Sequence, residues 1–78
     1  MIIVSQDKKS LINFDNMSAI CVGHENETIT IVAFNNVSPD SFGGVLGEYE
    51  TEERAIKVLD NILNAAGLKM YKYQMPKK

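Results

Sequence analysis

The chain is poor in the side chains that most often carry chemistry. It has one cysteine, Cys21, and one histidine, His24. A single thiol excludes an internal disulfide, and a single imidazole leaves too few nitrogen and sulfur ligands for a protein-only zinc site. No segment approaches the roughly 20 apolar residues that a membrane helix needs. The apolar opening, residues 1–5, stops at Gln6-Asp7-Lys8-Lys9, too short for a signal peptide. These absences predict a soluble, cytoplasmic protein without a metal or cofactor. The sequons at Asn16, Asn26 and Asn36 then read as asparagines in turns, not as glycosylation sites.

Basic residues are also scarce where a nucleic-acid binder would need them. Residues 1–60 hold all ten acidic side chains against four basic ones, giving −6, whereas residues 61–78 hold four lysines and no acid, giving +4. A mainly acidic body argues against direct nucleic-acid binding, which requires several cations to displace phosphate counterions. With 78 residues the chain makes one domain, 1–78, whose small core leaves self-association as the available source of extra stability. We therefore expect a homodimer or higher oligomer.

What the sequence does contain is a clear order of elements. Residues 2–5 and 10–14 suit two strands joined by the polar turn at Gln6–Lys9. Ser18–His24 alternates with Ile20 and Val22 on one face, and Thr28–Phe34 continues after the turn at Glu25-Asn26-Glu27. From Ile31 onward that last strand is apolar on both faces, so the sheet must curl or cover its second face with another subunit. Gly43 and Gly44 predict a turn before a short strand on which Leu46, Glu48 and Glu50 share a face. Thr51 is a good N-cap for a helix over 51–66, with Ala55, Val58, Leu59, Ile62, Leu63 and Ala66 on its apolar side. Gly67 is the expected left-handed terminator, and Met70–Met75 a last short strand stopped by Pro76. The fold class is α+β: a curved antiparallel sheet of about five strands, one C-terminal amphipathic helix packed on it and a short terminal strand.

No group of residues announces a reaction. Cys21 and His24, three apart on a strand, point to opposite faces and cannot form a thiolate–imidazole pair, so Cys21 reads as a buried structural thiol and His24 as a solvated turn residue. The glycines at 43, 44 and 47 are separated from the helix by a strand and lack the lysine of a phosphate-binding loop. We expect no enzymatic activity. Two surface groupings remain. Glu48, Glu50, Glu52 and Glu53 form an acidic ridge that could occupy a basic groove of another protein, with Asp40 and Phe42 as neighbouring contacts. Tyr71 and Tyr73, with Lys69 and Lys72, could stack and neutralise a nucleotide ligand.

Four phrases stand in order along the chain: Val4-Ser5-Gln6-Asp7, Ile12-Asn13-Phe14-Asp15-Asn16, Leu46-Gly47-Glu48-Tyr49-Glu50-Thr51-Glu52-Glu53-Arg54-Ala55 and Tyr73-Gln74-Met75-Pro76. Together they resemble small, mostly uncharacterised prophage and mobile-element proteins of Gram-positive bacteria. These motifs are turns, strand ends and a helix start, and they bring no catalytic residue with them. The resemblance implies an accessory protein that binds and inhibits a host defence component, most concretely an anti-CRISPR inhibitor of a Cas nuclease. The alternative is an oligomeric sponge that sequesters a nucleotide second messenger through Tyr71, Tyr73, Lys69 and Lys72.

Overall fold

A computed structural model describes residues 1–35 and 42–78, apart from the side chains of Phe42 and Gly43. Asp40, the side chain of Phe42 and most of the irregular segment expected before the glycines lie outside the described residues. The chain runs β1 (Ile2–Val4), β2 (Leu11–Asn13), a 3₁₀ turn (Phe14–Asn16), β3 (Ala19–Glu25), β4 (Thr28–Phe34), β5 (Phe42–Tyr49), α1 (Glu52–Gly67) and β6 (Lys72–Gln74). The class is α+β, but the strands form two three-stranded sheets, ordered β2-β1-β6 and β3-β4-β5. The terminal strand adds parallel to β1, with Ile3 opposite Tyr73. Parallel pairing requires a long connection, and here the intervening chain includes α1.

Turn chemistry closes the β1–β2 and β3–β4 hairpins. Asn26 takes φ 57° in the two-residue β3–β4 turn, a left-handed conformation that asparagine tolerates better than most residues. Between β1 and β2 the Ser5 hydroxyl donates to Asp7 (2.6 Å) and accepts from the Ser10 amide (3.0 Å). Those bonds tie the turn from inside. The Ser5 hydroxyl, with the Lys9 amide, holds the Asp7 carboxyl below its ordinary pKa.

Strand β5 departs from simple alternation. Ile31 pairs with Gly47 but Val32 pairs with Val45, so Leu46 is an extra residue, a β-bulge. The bulge turns Leu46 inward to 1% exposure, with Tyr49 at 5%, while Glu48 and Glu50 stay exposed. Leu46 and the two glutamates therefore do not share a face, contrary to the alternation expected from sequence. A second irregularity follows at Ala33/Phe34, where Gly44 takes φ 118°, a conformation strained for any other residue. The strand starts at Phe42 and runs through both glycines, whose expected role was a turn preceding it.

Helix α1 packs on β3, β4 and β5 and buries Ala55, Val58 and Ile62 in one cluster with Ile31, Ala33, Leu46 and Tyr49; Ala65 is buried as well. Ile3 from the other sheet and Met75 just past its strand β6 complete this core. Its N-terminus is capped as expected, the Thr51 Oγ1 accepting from the Arg54 amide at 3.1 Å. Two expectations fail on this helix. Leu63 is 69% exposed, because the buried stripe is centred on Val58 and Ile62 and Ala65 takes the inward place expected for Ala66. The left-handed terminator is not Gly67 but Lys69, at φ 58°. The Met70 amide bonds the Ala65 carbonyl (3.1 Å) and the Lys69 amide that of Ala66 (3.0 Å), the pattern of a Schellman motif.

Candidate functional site

The side chain of Gln6 joins the two sheets and fixes the acidic end of the molecule. Its backbone amide donates to the Leu46 carbonyl at 2.8 Å. Its side chain then acts as a strand neighbour for β5: Oε1 accepts from the Glu48 amide (2.8 Å) and Nε2 donates to the Glu48 carbonyl (2.9 Å). The same Nε2 reaches the carbonyls of Pro76 (3.2 Å) and Lys77 (2.9 Å). Beside it the Tyr49 hydroxyl donates to the Pro76 carbonyl at 2.8 Å, and the Arg54 Nε to the Lys78 carbonyl at 2.9 Å. Burial pushes the Tyr49 phenol up to about 12, with Tyr73 nearby adding to the rise and Arg54 opposing it.

On this frame Glu48, Glu50, Glu52 and Glu53 are all solvent-exposed. Strand pairing brings two further carboxylates to the same end. Glu25 closes β3, and Glu27 lies in the hairpin turn, where it shares a shallow cleft of about 330 Å³ with Thr28, Glu48 and Glu50. His24 on β3 approaches the helix start, its Nε2 lying 4.0 Å from a Glu52 oxygen. In the sequence Glu25 and Glu27 read only as turn residues, since nothing local to them shows which strand end they meet. The ridge has a basic border. A cleft of about 540 Å³ places Glu48 and Glu50 on one side and Arg54, Lys77 and Lys78 on another. This arrangement can present fixed negative charge to a complementary surface.

The other groupings separate. Tyr71 is 83% exposed, whereas Tyr73 is half-buried against the core. Burial raises the Tyr73 pKa, against which the Asn61 side chain supplies a hydrogen bond. The two rings thus differ in exposure, and Lys69 and Lys72 on either side of Tyr71 in the chain are exposed. Cys21 is exposed, not buried, because it points from the face of β3 that α1 does not cover. Among the described residues no three His, Cys, Asp or Glu side chains are grouped as a metal ion would require. Nor, among them, is any helix long and apolar enough to cross a membrane. Comparisons with protein-family models, curated proteins and solved structures returned no match.

Proposed function

We propose that the chain is a phage or mobile-element accessory protein that binds and inhibits a host defence component, most concretely as an anti-CRISPR inhibitor of a Cas nuclease. The observation that carries this reading is the convergence of Glu25, Glu27, Glu48, Glu50, Glu52 and Glu53 at one end of the β3-β4-β5 sheet. Of these, Glu48 stands on a strand held by Gln6. Little conformational freedom is lost when such a strand docks, so its charge can be spent on a basic nucleic-acid-binding groove. Binding by charge also explains how a net-acidic protein could act on nucleic-acid chemistry without touching nucleic acid.

The test is inhibition of DNA cleavage by a Cas nuclease from a Gram-positive host. The double charge reversal Glu48→Lys/Glu50→Lys should weaken inhibition, and raising salt should weaken binding of the natural chain. Undiminished inhibition by the double variant removes this reading. A cyclic nucleotide that raises the melting temperature at micromolar concentration would favour the sponge alternative instead, with Tyr71, Tyr73, Lys69 and Lys72 as its contacts.

A further inference from the structure

The chain leaves the core at Met75, and the residues after it are held in a different way. Met75 is 1% exposed, and its amide donates to the Val4 carbonyl at 3.0 Å. Beyond it no side chain is buried: Pro76 is half-buried, and Lys77 and Lys78 are exposed. Three elements nevertheless reach this segment, and each donates to its backbone carbonyls. Gln6 Nε2, from the β1–β2 turn, bonds Pro76 and Lys77. The Tyr49 hydroxyl, at the end of β5, bonds Pro76, and the Arg54 Nε, from α1, bonds Lys78. Contacts of this kind fix where residues 76–78 lie without using their side chains.

The position so fixed is beside the acidic end. Lys77 and Lys78 line the same cleft of about 540 Å³ as Glu48 and Glu50. Charges are screened only over about 10 Å at 0.1 M salt, so across one cleft these lysines weaken the field of the glutamates. The other two lysines of residues 61–78 stand elsewhere. Lys69 and Lys72 follow the far end of α1, whose 16 residues span about 24 Å from the first-turn glutamates. The bonds that hold residues 76–78 are themselves exposed or only part-buried, and water can replace them. This segment can therefore come away while the core beneath it stays packed.

We propose that residues 76–78 form a basic strap that tempers the acidic end of the molecule. Docked on Gln6, Tyr49 and Arg54, the strap keeps Lys77 and Lys78 beside Glu48 and Glu50 and offsets part of their charge. Released, it leaves those glutamates, with Glu27 beside them, to face a cationic surface of a partner at full strength. Arg54 belongs to the clasp on α1, so its charge stays in place in both states. The strap rests on the reading of the acidic end as a docking surface and adds a control to it: the lysines set the strength of the contact together with the glutamates.

Binding of a fluorescent decalysine peptide at 0.1 M salt, read by anisotropy, tests the strap on the full chain without any nuclease. Lys77→Ala/Lys78→Ala should bind the peptide about threefold or more tighter than the natural chain. Lys69→Gly/Lys72→Ala removes the same charge beyond the far end of α1 and should change the affinity by less than about 1.5-fold. Glu48→Gln/Glu50→Gln should weaken binding by about threefold or more, and in that background the Lys77→Ala/Lys78→Ala change should lose most of its effect. Every substituted position is exposed, so the circular dichroism spectrum should stay native throughout. Equal tightening by the two lysine pairs, or none from Lys77→Ala/Lys78→Ala, would overturn the strap, and weaker binding by the glutamine variant would still support the acidic end. Peptide binding that ignores Glu48→Gln/Glu50→Gln would remove both.

Discussion

Replacing Gln6 with alanine should cost more than any other single truncation at a partly exposed position. The side chain makes four contacts to backbone groups of β5 and the C-terminal segment, at 2.8, 2.9, 3.2 and 2.9 Å. One Nε2 has only two protons for three carbonyls, so these amount to three bonds' worth of interaction. At about 1 kcal/mol each the sum is about 3 kcal/mol, reduced to about 2 kcal/mol because water can reach some of the released groups. The Gln6 backbone amide still bonds Leu46 in the variant, so the corner loosens without losing its register. For a domain of this size about 2 kcal/mol lowers the melting temperature by roughly 8–16 °C. Urea denaturation followed by circular dichroism measures the loss directly. Gln6→Glu gives an independent check, since it keeps the volume but sets a carboxylate against three carbonyl oxygens. It should be at least as destabilised as the alanine variant at neutral pH and recover in acid, where the carboxyl protonates and regains one donor. A loss below about 0.5 kcal/mol for Gln6→Ala would refute the view that this residue joins the two sheets.

Two other perturbations test the helix end and the Tyr49 contact. Lys69→Gly should stabilise the protein by about 0.5–1 kcal/mol in the same denaturation assay, because lysine sits in the left-handed position of a Schellman motif. Tyr49→Phe loses the hydrogen bond to Pro76 and should destabilise by about 1 kcal/mol. The natural protein, whose Tyr49 pKa is raised in the fold to about 12, keeps that residue's contribution in full below about pH 10 and loses it as pH rises through 12. The phenylalanine variant should therefore show a shallower stability loss across that alkaline window, and equal slopes would contradict the burial of the phenol.

The elements governed by local chemistry were legible in the sequence. Thr51, the first-turn glutamates and the apolar spacing from Ala55 to Ile62 define the helix without reference to anything distant. The strict alternation of Ser18–His24 likewise foretells β3, and Asn26 marks its turn. What could not be read depends on pairings across the chain. The bulge at Leu46 follows from its register with Ile31 and Val32, and it broke the expected alternation with Glu48. Gln6 looks like an ordinary turn residue until β5 and the Pro76–Lys77 segment arrive beside it. The ridge was legible as Glu48–Glu53, but Glu25 and Glu27 join it only through strand pairing. Tyr73 shares a strand period with Tyr71 yet only Tyr73 packs against the core; Tyr71, whose carbonyl accepts from the Ile2 amide, stays exposed at the start of the strand.

The most direct test of the account is a nuclease-inhibition titration comparing the natural chain with Glu48→Lys/Glu50→Lys, each at low and high salt. Fixed negative charge on a rigid strand predicts inhibition by the natural chain that fades with salt, and a double variant that needs far more protein for the same effect. Equal potency of the two proteins across both salts would contradict it.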